Sequence, residues 1–194
     1  MKPSVTALVL AAGFSRRFGE DKRWVVLHSG KPIIEQVLAN IAAAEIIANI
    51  ALRTDDPHRS AHPWSVPTLG VAAADAERGL GASIAGAIQQ LQKQADAQSV
   101  MICLADMPYI KSETYRAIAN AIEPNSIVVP VYHGKRGHPV GFSSQYLSEL
   151  SQLDGDQGAR ELLQRHRDQV KEIAVDDPGI HRDIDTVADL LVGL

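Results

Sequence analysis

Apolar, β-branched runs alternate along the chain with stretches whose apolar positions recur every three or four residues. Val5 to Ala11 is apolar at nearly every position, as a strand buried on both faces of a parallel sheet must be. Pro32 opens a helix that carries Ile34, Val37, Leu38 and Ile41 on one face. Ile46 to Leu52 contains the next strand, and Val66 to Val71 a weaker third one. Ala82 to Gln94 places Ile84, Ile88 and Leu91 at helical spacing, and Ser99 to Leu104 is a second fully buried strand. Ser112 stands as the N-cap of a helix with Tyr115, Ile118, Ala119 and Ile122 facing inward. Ile127 to Tyr132 and Pro139 to Phe142 flank a hairpin or loop at His133 to His138. A helix from Gly158 to His166, a strand from Val170 to Val175 and a last helix from Thr186 complete the pattern. This repeated β-α-β order predicts one α/β unit, a parallel or mixed sheet covered by helices on both faces.

Composition narrows what such a unit does. The 194 residues carry 19 Lys+Arg against 23 Asp+Glu, a net charge of −4, with 45% hydrophobic residues. A chain of this length buries about 70% of its unfolded surface, enough for one core. The mild acidity argues against nucleic acid or an anionic membrane as partner. No stretch reaches the ~20 apolar residues of a membrane span. Lys2 and the apolar run after it read as a first strand rather than a signal peptide, because Gly13 to Arg17 follow directly. Cys103, the single cysteine, excludes an internal disulfide and a cysteine-rich zinc site. The expectation is a cytoplasmic protein.

In open α/β sheets ligands bind beyond the carboxyl ends of strands, so the loop after the first strand is the place to look. Ala11, Ala12 and Gly13 let a ligand approach the backbone, whose N–H groups can meet phosphate oxygens. Between residues 16 and 23, four basic side chains oppose two acidic ones, a local reversal of the overall sign. Arg chelates phosphate bidentately, and Lys22 offers a mobile point charge. Gly13 and Gly19 are not followed by the Lys-Ser/Thr of a P-loop, and Ser15 stands where a dinucleotide fingerprint needs its second Gly.

Leu10-Ala-Ala-Gly-Phe-Ser-Arg-Arg-Phe-Gly-Glu-Asp-Lys22 resembles the signature of nucleotidylyltransferases that bind an NTP on a Rossmann-like sheet, with Arg17 on the motif's Arg. Gly79-Leu-Gly-Ala-Ser-Ile84, Leu104-Ala-Asp-Met-Pro108, Arg136-Gly-His-Pro-Val-Gly-Phe142, Gly155-Asp-Gln-Gly-Ala-Arg160 and Asp183-Ile-Asp-Thr186 extend it. Together they resemble the molybdenum cofactor nucleotidylyltransferases, and within them the MocA-like molybdopterin cytidylyltransferases. The resemblance implies one NTP-transferase domain over residues 1–194, Rossmann-like, with a mostly parallel mixed sheet. It implies transfer of CMP from CTP to the phosphate of molybdopterin with release of pyrophosphate. Leu10, Ala11, Ala12, Gly13, Ser15, Arg16, Arg17, Phe18, Gly19, Lys22, Gly81 and Ser83 would hold the nucleotide, with Lys22, Arg17 and Asp106 catalytic. Ala12 stands where guanylyltransferases of this branch usually have Gly, which leans toward CTP; a single methyl discriminates by only ~1–3 kcal/mol, so GTP stays open.

Asp106 directly follows a buried strand, and a carboxylate there suits Mg²⁺, which needs one or two protein oxygens and keeps its waters. The resemblance implies Asp185 as the second ligand, with Mn²⁺ the alternative ion; Asp183 is the next candidate, and Asp189 is placed near the start of the last helix. The acceptor phosphate supplies its own attacking oxygen, so Cys103 is read as core packing. On the acceptor side the resemblance places Arg136, Gly137, His138 and Pro139, with Asp156 and Gly158 at the start of a helix. A molybdoenzyme or its chaperone would receive the product. Met107 departs from the cytidylyl branch, which often has Gln there, and residues 53–58 match no motif of the family. The alternatives are guanylyl transfer from GTP, cytidylyl transfer to a sugar or polyol phosphate, and a carrier of the finished cofactor.

Overall fold

The computed structural model describes residues 5–14, 18, 21–94 and 99–193. Eight strands form one sheet: β1 (Val5–Leu10), β2 (Ile47–Arg53), β3 (Thr68–Val71), β4 (Ser99–Leu104), β5 (Ile127–Tyr132), β6 (Lys135–Arg136), β7 (Val140–Ser143) and β8 (Val170–Ala174). Their order is β3-β2-β1-β4-β7-β5, with β6 beside the far half of β5 and β8 on the opposite edge of β5. β1, β2, β3 and β4 run parallel, and β7 turns antiparallel between β4 and β5. The helices are α1 (Ile33–Ala43), α2 (His58–Ala61), α3 (Ala73–Arg78), α4 (Leu80–Gln94), α5 (Ser112–Ala121), α6 (Leu147–Leu150) and α7 (Arg160–Arg165).

Alternation along the central strands divides the core into two layers. Ala7 and Val9 of β1 face Ile34, Val37 and Ile41 of α1 and Tyr115 and Ile118 of α5. Leu8 and Leu10 face Ile84, Ile88 and Leu91 of α4, with Leu150 and Leu162 beyond. Helices thus cover both faces, as the pattern predicts. Cys103 is fully buried in the first layer, where burial pushes its thiol pKa far up. Among the described residues no helix is long and apolar enough to cross a membrane.

Several local expectations need correction. The segment from Thr186 forms a 3-10 helix, Val187–Gly193, not an α-helix. Lys111, not Ser112, is the N-cap of α5. Asp177 of a distant loop stabilises that helix start instead, its Oδ2 accepting from Lys111 N at 2.8 Å and Thr114 Oγ1 at 2.6 Å. α7 begins at Arg160 because Gly158 has φ +56°, outside the right-handed helical region. The His133–His138 segment holds a two-residue turn with positive φ at both His133 and Gly134, the conformation of a tight hairpin between β5 and β6.

Order reverses between β1 and β4: β2 and β3 lie on one side of β1, and the chain returns to place β4 on the other. Leu10 pairs with Leu104 across that boundary, so both strands deliver their loops to the same mouth. A third wall comes from the junction of α3 and α4. Gly79 adopts φ +118°, and a Cβ on it would lie 2.1 Å from Asp156 Oδ1. Gly81 donates its N–H to Gly155 O at 2.7 Å, and a Cβ there would meet Asp154 O at 2.5 Å. Gly81→Ala is therefore expected to destabilise the protein by ~1–3 kcal/mol. Thermal unfolding should show a fall of about 2–4 °C for each kcal/mol.

Candidate active site

The loops after β1 and β4, the α3–α4 junction and the segment at Asp185 enclose an open cleft of about 500 Å³. Leu10, Ala11, Ala12, Gly13 and Phe14 form its floor, with Leu104, Ala105 and Asp106 beside them. Ala76, Glu77, Gly79, Leu80 and Ser83 form one wall, and Phe18, Lys22, Arg23, Asp156 and Asp185 close the rim. Ala11 and Ala12 are 3% and 2% exposed, so both are packed into that floor.

Lys22 holds the centre. It opens a 3-10 turn, Lys22–Trp24, and its Nζ donates to Asp106 Oδ2 at 2.7 Å, Ile184 O at 2.9 Å and Asp185 Oδ1 at 3.0 Å. Burial opposes the charge on Lys22, but Asp106 and Asp185 outweigh it and raise its pKa above the ordinary lysine value. The ammonium therefore stays protonated throughout the neutral range. Ile184 N donates to Asp106 O at 2.9 Å, binding the two carboxylate-bearing segments together. Asp189 Oδ2 accepts from Asp185 N at 3.0 Å, Thr186 N at 2.6 Å and Thr186 Oγ1 at 2.8 Å, which fixes the backbone that presents Asp185. Asn40 of α1 donates to Pro108 O and Ile110 O, both at 2.9 Å, bracing the loop after Asp106. Burial, with Asp106 and Asp185 close by, raises the Asp183 carboxyl pKa.

The sequence reading gives neither Arg23 nor Asp56 a role of its own. Arg23 is 6% exposed, and its guanidinium donates to Asp21 Oδ1 at 2.7 Å, Asp21 Oδ2 at 2.5 Å and Ala11 O at 2.9 Å. Its Nη1 also pairs with Asp56 Oδ2 at 2.6 Å, whose side chain is fully buried. The only signal in the sequence is a fourth cation directly after Lys22. Its acidic partner lies in the segment after β2 that matches no motif.

The predicted residues divide as follows. Leu10, Ala11, Ala12, Gly13, Phe18, Lys22, Ser83, Asp106, Asp156 and Asp185 meet at the cleft. Ser83 Oγ also donates to Gly79 O at 3.0 Å, tying the first turn of α4 to that wall. Gly81 instead packs against the backbone at Asp154 and Gly155, and Gly158 packs on Leu80. Ser15, Arg16, Arg17 and Gly19 lie outside the described residues. Arg136 does not reach the cleft: it is exposed on β6, and its Nε donates to Glu172 Oε1 at 2.7 Å. Gly137 and His138 pack on the loop that leads to Asp185, with His138 N donating to Ile180 O at 3.1 Å. The His138 Nδ1 is buried without a hydrogen-bond partner. Burial lowers the His138 pKa; Asp106 opposes that fall and Arg160 adds to it. Pro139 is buried at the start of β7.

Of the four basic residues between 16 and 23, the structure describes Lys22 and Arg23. Lys22 and Arg23 are both already paired with carboxylates.

A model of the MobA-like NTP transferase domain matches residues 7–170, and the chain belongs to that family of nucleotidyltransferases. Purine catabolism protein PucB of Bacillus subtilis is 29% identical over 168 residues, 83% of this chain and 81% of that protein. A probable molybdenum cofactor guanylyltransferase of Bacillus cytotoxicus is 27% identical over 168 residues, 84% of this chain and 81% of that one. Among solved structures, Rv0371c of Mycobacterium tuberculosis superposes with a TM-score of 0.83 at 28% identity, covering 99% of this chain and 97% of that one. Rv0371c has also been crystallised as a complex with manganese; that structure gives a TM-score of 0.78 at 24% identity over 98% of this chain and 100% of that one.

A double-mutant cycle tests the central ion pair. Lys22→Met should lower stability in urea unfolding, and Asp106→Asn should cost less in that background than in wild type. The expected coupling is about 1–3 kcal/mol.

Proposed function

We propose that this chain is a metal-dependent nucleotidyltransferase that moves CMP from CTP onto the phosphate of molybdopterin and releases pyrophosphate. The observation that carries the reading is the meeting of Lys22, Asp106 and Asp185 at the mouth between β1 and β4, over a floor of small residues. Asp106 and Asp185 suit a divalent ion: they already share one cation, the Lys22 ammonium, and Asp106 Oδ1 is buried with no hydrogen-bond partner. Among the described residues no group of three or more His, Cys, Asp or Glu forms a closed metal cage. Two carboxylates with the remaining positions left to water and phosphate are the ordinary arrangement for Mg²⁺. When bound, such an ion neutralises the charge that builds on the phosphate oxygens.

In this reading Lys22 exchanges partners. The arriving nucleotide draws its ammonium from the carboxylates to the phosphate oxygens, where Arg16 and Arg17 join it. The acceptor phosphate oxygen attacks the α-phosphorus in line, forming one P–O bond. The bond to the β-phosphate breaks, and pyrophosphate leaves with the electron pair. Lys22 holds the negative charge of that step. His138, Gly137, Pro139 and Asp156 are assigned to the acceptor side, Asp156 at the cleft rim beside Gly79. Ala12, packed into the floor, supports cytosine. The guanylyltransferase among the relatives supports GTP as the second reading.

Two experiments follow. Equilibrium binding of CTP, GTP and ATP with Mg²⁺ or Mn²⁺ should show CTP bound at least tenfold more tightly than ATP; equal affinity for all three contradicts base selection. Manganese titration of nucleotide-free protein should show Lys22→Met binding the ion at least tenfold more tightly than wild type, since the competing ammonium is gone, although that variant loses most turnover. Asp106→Ala should lose both.

A further inference from the structure

The mechanism leaves unused the second buried cation of the rim. Both backbone groups of Ala11 are occupied: its N–H donates to Ala51 O of β2 at 2.9 Å, and its carbonyl accepts from Arg23 Nη1 at 2.9 Å. The peptide that joins Ala11 to Ala12 is planar and trans, so its C=O and N–H point in opposite directions. Holding the Ala11 carbonyl on Arg23 therefore fixes the direction of the Ala12 N–H, at the floor of the cleft. The guanidinium cannot drift. Asp21 grips it on Nε and Nη2, and the fully buried Asp56 carboxylate, anchored by the His58 N–H at 2.9 Å, holds Nη1. Arg23 thus links the exits of β1 and β2 and the turn that carries Lys22. A lysine has one point of attachment and cannot span these groups.

We infer that Arg23, held by Asp21 and Asp56, is a positioning residue for the nucleotide. It sets the plane of the Ala11–Ala12 peptide so that the Ala12 N–H at the cleft floor meets the ligand already in place. The inference deepens the reading above and rests on it for the identity of the ligand. A preset donor removes the ordering cost that a loose loop would charge against binding.

The test uses Arg23→Lys, with Asp56→Asn as a second variant because removing either partner of a buried pair is strongly destabilising. Two readouts are taken on whichever variant folds: the Kd for CTP with Mn²⁺, and amide hydrogen exchange of unliganded protein. The expected result is a Kd at least tenfold higher. With it, the Ala11 amide should lose at least tenfold of its protection while Leu8, mid-strand in β1, keeps its own. A melting temperature that falls with Kd unchanged, or protection lost equally at Ala11 and Leu8, would make Arg23 a scaffold residue and overturn the inference. If wild type binds neither CTP nor GTP, the proposed function fails, and the Ala11-against-Leu8 comparison still decides whether Arg23 sets this peptide.

Discussion

One ammonium organises this cleft. Lys22 touches Asp106, 84 residues away, and Asp185, 163 residues away, and completes its hydrogen bonding on the Ile184 carbonyl. A half-buried lysine pays for losing water, and only two carboxylates at contact distance hold its charge so firmly. The β1 exit, the β4 exit and the 184–185 segment must converge for this contact to form. Ile184 packs with Leu27 and Ile33 just behind it, so the polar meeting point has an apolar footing.

The second cation follows the same logic at greater depth. Arg23 neutralises Asp56 where no water reaches that side chain, and its remaining donors go to Asp21 and a main-chain carbonyl. Both described cations of the glycine-containing loop are thus engaged within the protein. In the proposed reaction ligand binding is an exchange of partners for Lys22, while Arg23 stays in place as part of the frame.

Strands filled with apolar side chains were legible from sequence as short β-branched runs between turn signals: β4 and β5 have the bounds the pattern indicates, and β1 stops one residue short; β8, a mostly exposed edge strand, also stops one residue short. Short helices were not. α3, α6 and the 3-10 turns are too brief for a 3.6-residue period to show, and they are held by contacts from elsewhere. The Thr186 segment reads as a helix start, yet Asp189 folds back on Asp185 and Thr186 and a 3-10 helix follows. At the candidate site, Lys22, Asp106 and Asp185 could be named from strand ends and the family motif. Their mutual contact could not, since it is a product of topology. The pairing of Arg23 with Asp56 was invisible for a further reason: a buried ion pair has no local pattern, and each partner alone looks like a solvated surface charge. Arg136 shows the converse, a motif residue whose side chain is spent on Glu172.

In the proposed reaction Lys22 yields its place on Asp106 and Asp185 to the divalent ion when nucleotide arrives. A crystal structure of the protein with CTP and Mn²⁺, located by anomalous scattering, examines it directly. The expected result is manganese at Asp106 and Asp185, with Lys22 Nζ moved onto phosphate oxygens. Manganese bound away from both carboxylates, or Lys22 still seated on them beside a bound nucleotide, would contradict it.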